Sequence, residues 1–219
     1  ILDLIIKDDI TKFIKNNGIK QRGDDILNIL EHYKDVENLY LENYENVAYR
    51  NLNLLKENGI TIKESELGLK FEELTSVIFK GLGFNVDEKF KKQLNTKKDM
   101  MDILLNLGNQ EIIIVECKTI KEKGYNKFSS VSRQLKSYQN LALKNDLRIV
   151  KILLVAPDFS DDFVTDCEMD TEMNLSLITA STLSKIFESF KTSRYQEFPH
   201  VLFRDIVINE ERILKALSK

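Results

Sequence analysis

Asp102-Ile-Leu-Leu-Asn-Leu-Gly-Asn-Gln-Glu111-Ile-Ile-Ile-Val-Glu116-Cys117-Lys118 is the stretch on which the fold turns. Asp102–Leu107 and Glu111–Lys118 have the apolar, β-branched character of strands, and Gly108-Asn109-Gln110 between them has the character of a hairpin connection. Four consecutive apolar residues, Ile112–Val115, mark a strand covered on both faces. Such a strand ends in two charges, Glu116 and Lys118. Residues two apart on a strand share a face, so these side chains project together while Cys117 points the other way. Charges at the end of a buried strand are expensive unless something pairs them.

Register supplies a partner. With residues 108–110 as a three-residue loop, Leu107 lies opposite Glu111 and Asp102 opposite Glu116, on one face, with Cβ atoms about 5 Å apart. A two-residue loop places Asp102 opposite Val115 instead and separates the acids. Facing carboxylates repel, and a divalent cation relieves them. Asp102, Glu116 and the Cys117 carbonyl form a hard-oxygen set suited to Mg²⁺. Lys118 beside such a cation stabilises or helps deprotonate an attacking water, in chemistry suited to displacement at phosphorus. A structural ion pair is the other reading of the same residues. Asp99 is a rival for the first acid, ranked second because it precedes the strand; a further Asp-x-Lys at Asp87–Lys89 stands in a turn-like setting.

A helix ahead of the hairpin adds another acid. Phe71, Leu74, Ile78 and Leu82 define its apolar face, Glu72 falls on the flank of that face, and Glu73 points away from it. Glu72 is therefore placed to reach the sheet edge, although an acid in the first turn also simply favours the helix dipole.

Working outward, residues 2–16 read as a short amphipathic helix stopped by Asn17-Gly18. From Ile26 to Val47 apolar residues recur every three or four positions, predicting one continuous helix reaching Leu55, with a face for domain packing or a protein partner. Gly59–Gly68 is the best internal boundary, giving a helical extension over 1–67 and a second domain over 68–219. In the latter, Phe84-Asn-Val follows the helix as extended chain, a helix starts at Ser129 or Ser130 and runs to about Lys144, Ile149–Ala156 and Leu175–Thr179 read as strands, and Thr182–Phe190 and Glu210–Leu217 as helices. The sum is a mixed α/β domain in the order αβββαβ with further elements behind it. The amphipathic tail from Arg204 is suited to covering the sheet or a partner.

Composition narrows the function. The 219 residues are 42% hydrophobic and 31% charged with 8 Gly and 2 Pro, enough core for one large domain with an extension and unlike a disordered chain. No apolar run approaches the length of a membrane span and no signal peptide opens the chain, so a cytoplasmic setting is expected; a start at Ile1 suggests a piece of something longer. Two isolated cysteines fit a reducing compartment and argue against a disulfide framework or a thiolate zinc site. His32 and His200, the two histidines, exclude most histidine-dependent chemistry, and phosphate-loop, dinucleotide-fold and nucleophile-elbow motifs are missing. What remains is chemistry run on carboxylates and lysines. The net charge is −3, yet Lys89–Lys136 carries ten Lys and one Arg against five acids, a local +6 in a remainder of −9. A basic centre in an acidic chain suits a polyanion.

At these residues the chain resembles the PD-(D/E)xK nuclease superfamily, whose core is αβββαβ. The matching motifs are Gly68-x-x-Phe71-Glu72 with Leu82-Gly83-Phe84, then Asp102-Ile-Leu, then Glu116-Cys117-Lys118, over roughly residues 68–156. The following Gly124-Tyr125-Asn126 and Arg133-Gln134-Leu-Lys-Ser-Tyr138 look most like the cleavage domains of type IIS restriction endonucleases, the FokI kind and the small cleavage subunits of nicking-type systems. The resemblance implies a restriction-endonuclease-like fold with a mixed sheet and Mg²⁺-dependent hydrolysis of double-stranded DNA to 5′-phosphate and 3′-hydroxyl ends, with Mn²⁺ able to substitute. It makes Asp102 and Glu116 metal ligands, Lys118 the residue serving the water, Glu72 the helix acid and Gln134 a residue at the rim. It also implies recognition by a domain or subunit outside this chain, since no DNA reader is visible in it, and pairing of two copies for double-strand cutting. Two departures stand out: no proline precedes Asp102, and residues 1–58 match nothing in the family. The Phe71-Glu72 helix also resembles Mrr-type modification-dependent nucleases, and a non-catalytic DNA-binding or dimerisation module that keeps the fold is the reading from outside the enzymes.

Overall fold

The computed structural model describes residues 7–20, 23–96 and 100–218. The chain divides into two compact units, Ile1–Asn43 and Tyr44–Lys219. In the first, α1 (Lys7–Asn16) packs on α2 (Asp25–Glu42), with the Phe13 and Tyr33 rings 6.4 Å apart. Asp24 caps α2 by accepting hydrogen bonds from the Ile26 and Leu27 N–H groups.

The second unit begins 24 residues earlier than the sequence boundary at Gly68, because the expected continuous helix is broken twice. α2 stops at Asn43, α3 covers Tyr44–Ala48, and Arg50, at φ 54, turns the chain into α4 (Leu52–Glu57). The cause lies in the packing. Tyr44 stacks on Phe71 at 4.9 Å and its hydroxyl meets Thr75 Oγ1 at 2.7 Å, so α3 belongs to the unit of α5 (Leu67–Gly81).

After α5 come α6 (Glu88–Leu94), β1 (Ile103–Gly108), β2 (Glu111–Cys117), α7 (Phe128–Lys144), β3 (Arg148–Ala156), α8 (Asp161–Met169), β4 (Leu175–Thr179), α9 (Ala180–Lys191) and α10 (Glu210–Leu217). The fold is α/β. Among the described residues the sheet has four strands in the order β1-β2-β3-β4, with β1 antiparallel to β2 and the other pairs parallel. The parallel crossovers carry α7 and α8 on one face, where Leu104, Ile112, Ile114, Ile152 and Leu154 meet Leu135, Tyr138 and Phe163. α5 and α9 contact the sheet at β2 and β4, and each other. The strand expected at Phe84-Asn-Val is reduced to one antiparallel bridge, Val86 to Leu105. The segment 84–87 departs into α6, whose N-cap is Asp87: its carboxylate accepts from the Phe90 N–H at 2.9 Å and from Asn106 at 3.1 Å, which makes Asp87–Lys89 a helix start.

The hairpin sets the site. Its turn has two residues, Asn109 and Gln110, both at positive φ, and Gly108 (φ 82) pairs with Glu111. On that count alone the acids would have separated. A bulge between Asn106 and Gly108 absorbs one residue, so that Asn106 faces Ile112 and Ile103 faces Val115. Continued by one residue, this register sets Asp102 across from Glu116.

The C-terminal segment covers the far edge of the sheet. The Leu177 N–H donates to Ile206, the Ile208 N–H to Leu177, and Arg212 clamps Asp205 at 2.5 Å, while α10 packs on α9. Among the described residues no helix is long and apolar enough to cross a membrane.

Candidate active site

β2 delivers Glu116 and Lys118 to the end of the sheet, with Glu116 only 1% exposed. Lys118 Nζ donates to Glu116 Oε1 at 2.5 Å and to Gln134 Oε1 at 3.2 Å. Gln134 and Tyr138, one helical turn apart on α7, are linked from Gln134 Nε2 to the Tyr138 hydroxyl at 2.5 Å. That hydroxyl also lies 2.5 Å from the Met100 carbonyl and 3.2 Å from Glu116 Oε2. Asp102, just ahead of β1, accepts the Cys117 N–H on Oδ2 at 2.7 Å, while its own carbonyl accepts from Lys91 Nζ at 2.6 Å. The register faces the Asp102 and Glu116 carboxyls across the strands, close enough for the Asp102 charge to act on Glu116.

Glu72 comes from α5 and lies close enough to Asp102 and Lys118 to feel their charges. Glu72 and Asp102 line a groove of about 380 Å³ with Ser76, Glu88 and Lys91. Among the described residues no three His, Cys, Asp or Glu side chains converge on one point suited to a metal ion. The structure thus brings Asp102, Glu116, Lys118 and Gln134 together and holds Glu72 beside Asp102, outside that contact. Asp99 lies outside the described residues.

The electrostatics follow from burial and crowding. Burial first, then the Asp102 charge, raises Glu116 to about 7 against the pull of Lys118. Glu72 is raised to about 7 by the same two causes in the same order. Asp102 is raised by burial despite its bond to the Cys117 N–H. Burial lowers Lys118, but the neighbouring Glu116 and Asp102 outweigh it, so Lys118 is raised and stays an ammonium. The thiols are inert: burial pushes Cys117 far above its ordinary value and Cys167 to about 12.

Two acids within reach of one another, both unwilling to ionise, are a donor set that a hard cation relieves. Mg²⁺ is commonly held by one or two carboxylates, with water and phosphate oxygens completing its shell. The residues present fit that ion.

Two contributors escape a reading of the sequence. Tyr138 closes the Arg133–Tyr138 motif but is given no role by it; its position one turn after Gln134 is the available signal. Lys91 sits on α6, just past the turn-like Asp87–Lys89 and within the basic segment from Lys89, so nothing points it at Asp102.

No family model matches the chain, and no curated protein matches it. A solved structure similar to it is the crystal structure of the small subunit (R.BspD6I2) of the heterodimeric restriction endonuclease R.BspD6I, at 18% identity and a TM-score of 0.42 over 81% of this chain and 85% of that one.

Proposed function

We propose that this chain is a Mg²⁺-dependent deoxyribonuclease, the cleavage module of a restriction system whose recognition part lies elsewhere. One observation carries the reading: Asp102 and Glu116 face each other at the end of a buried strand, with Lys118 hydrogen-bonded to Glu116. Asp102, Glu116 and the Cys117 carbonyl are the groups to hold the cation, which supplies Lewis acidity and a template for in-line attack on a phosphodiester.

The protein's own groups have distinct tasks. Lys118, held as an ammonium, presents its protons toward the anionic phosphate or the incoming water; its raised proton affinity speaks against a free amine acting as base. Gln134 and Tyr138 fix the Lys118 and Glu116 head groups from α7. Glu72, with a proton affinity near neutrality, can take or release a proton in the groove beside Asp102. The product ends are then 5′-phosphate and 3′-hydroxyl, and a second copy or a recognition subunit completes a double-strand cut.

The test is supercoiled plasmid with Mg²⁺ or EDTA, at low salt, using the wild type, Asp102→Ala and Lys118→Ala. Cutting that needs the metal and disappears in both variants supports the reading; cutting that survives both overturns the site.

A second reading rests on the bonds already made. Both Glu116 oxygens are engaged, by Lys118 and Tyr138, as in a self-satisfied structural cluster. A non-catalytic DNA-binding module of this kind would bind duplex without cutting it, and its melting temperature would not respond to Mg²⁺.

A further inference from the structure

The segment that follows Lys118 forms one wall of a second groove, unused by the chemistry above. Its lining is Tyr49, Arg50 and Asn51 from the α3–α4 connection and Leu52 and Asn53 from the start of α4, facing Lys121 and Lys123, with a volume of about 510 Å³. The two walls are tied together by the Ile120 N–H donating to the Ala48 carbonyl at 3.1 Å and by Arg50 Nη1 donating to Thr119 Oγ1 at 3.1 Å. Arg50 Nη2 also donates to the Glu64 carbonyl at 2.9 Å. The Arg50 backbone sits at φ 54, a conformation that Gly or Asn adopts at less cost, so the position holds a cation at some expense.

Arg50, Lys121 and Lys123 line the groove, the first two meeting Glu64, while Asp158 and Glu45 act on the Tyr49 side of it. Glu64 meets Lys121 at 2.6 Å, but both are exposed, and exposed pairs are weak enough to exchange for a phosphate. Amide groups from Asn51 and Asn53 add neutral partners of the kind that line phosphate-contacting surfaces, while the Tyr49 hydroxyl donates to the Pro157 carbonyl at 3.5 Å. The groove lies near the candidate site by chain length alone. Lys121 is three residues after Lys118, so their backbones are at most about 10 Å apart.

We propose that the groove between Tyr49–Asn53 and Lys121–Lys123 holds the phosphodiester backbone of the DNA strand next to the phosphate at Lys118. The inference rests on the nuclease reading, and it gives residues 49–53, ahead of the nuclease-like motifs, a part in holding the substrate. Arg50 is a strut of the loop, so the lysines carry the test.

Binding of a fluorescein-labelled 20-base-pair duplex to the full chain is measured by anisotropy in EDTA across a salt series. The chain is compared with Lys121→Gln/Lys123→Gln and with a control pair, Lys191→Gln/Lys215→Gln. Because the groove variant neutralises two fewer phosphates, its slope of log affinity against log salt should shrink by about 1.8, and affinity at low salt should fall about tenfold. The control pair should leave both near the wild-type values. An unchanged slope in the groove variant, an equal loss in the control pair, or no duplex binding by the wild type overturns the proposal. Plasmid cleavage separates the two readings. A groove-dependent slope without cutting in Mg²⁺ sinks the nuclease and keeps the groove, whereas cutting that the groove variant leaves unchanged, with an unchanged slope, does the reverse.

Discussion

Two neighbouring strands each bury a charge, and they treat it in opposite ways. Lys151 on β3 is 7% exposed and donates to the Asn174 side chain at 2.7 Å. Asn174 in turn donates to the Val150 carbonyl at 2.7 Å. The cation is met by a neutral amide with the Asp205 charge nearby, and burial outweighs that charge to lower its proton affinity. On β2, Glu116 is buried deeper, yet it faces Asp102, another acid, with Lys118 as the cation bonded to it. A structural solution satisfies a charge and stops. The β2 end retains an excess of negative charge that folding stability alone would remove, the kind of cost found where a site serves chemistry.

The widest separation between these regions is expected from Asp102→Asn set against Lys151→Met. The amide keeps an acceptor for the Cys117 N–H but removes one of two facing charges. Metal-dependent plasmid cleavage should fall about 10³-fold or more, while the metal-free protein at pH 8 gains roughly 1 kcal/mol from relieved repulsion, read as a higher Tm. Lys151→Met should leave cleavage within about twofold, because its volume is conserved and nothing of the candidate site touches it. Loss of cleavage in Lys151→Met with folding intact would break the contrast.

Proton linkage sharpens it. Glu72 and Glu116 titrate near 7 in the folded chain, above their unfolded values near 4.3. The folded state therefore binds more protons in this window. The stability these groups contribute is fully present below about pH 4.3 and is lost as pH rises through 7. Metal-free protein should thus have a lower melting temperature at pH 8 than these groups allow at pH 5, and Glu116→Gln should flatten that dependence. Mg²⁺ at pH 8 should restore what ionisation removes, as any ligand of the native state does. Lys151 works the other way: its lowered proton affinity gives a contribution present above the unfolded value near 10.4 and lost as pH falls through the folded one, so Lys151→Met alters only the alkaline limb. Differential scanning fluorimetry across pH 5–10, with and without Mg²⁺, reads all three.

The strands were legible because alternation and the run Ile112–Val115 left little freedom in which face was buried. The facing of Asp102 and Glu116 was reached through a three-residue loop, whereas the chain uses a two-residue turn and a bulge. Gly108-Asn109-Gln110 all tolerate positive φ here, so local propensity did not choose between these routes, and the burial pattern on both sides did. α8 was missed because its apolar positions are few, although Ser160 followed by Asp161 and Asp162 is a helix-start signal. The single helix from 24 to 55 failed for a tertiary reason, the docking of Tyr44 on Phe71, which periodicity does not carry. In the candidate site Asp102, Glu116, Lys118 and Gln134 were readable from strand parity and motif. Lys91 and Met100 enter through backbone carbonyls, that of Asp102 accepting from Lys91 and that of Met100 accepting from Tyr138, and such bonds leave no trace in residue types.

The smallest effects test whether α7 tunes the β2 cluster or merely packs on it. Tyr138→Phe removes a hydroxyl shared by Gln134, the Met100 carbonyl and Glu116, leaving the buried Glu116 short of a donor and Gln134 Nε2 short of an acceptor, at a cost of about 1–2 kcal/mol in stability and about tenfold in cleavage. Gln134→Ala removes one acceptor from Lys118, which Glu116 still holds at 2.5 Å, and one donor to the Tyr138 hydroxyl, which keeps its bonds to Met100 and Glu116. Stability should change by less than about 0.5 kcal/mol, since the position is half-buried and its partners keep other bonds. Cleavage should fall about three- to fivefold in kcat with KM unmoved, because a less constrained ammonium is misplaced at the reacting phosphate without weakening the hold on DNA. A rise in KM instead would make Gln134 a DNA contact and detach it from Lys118.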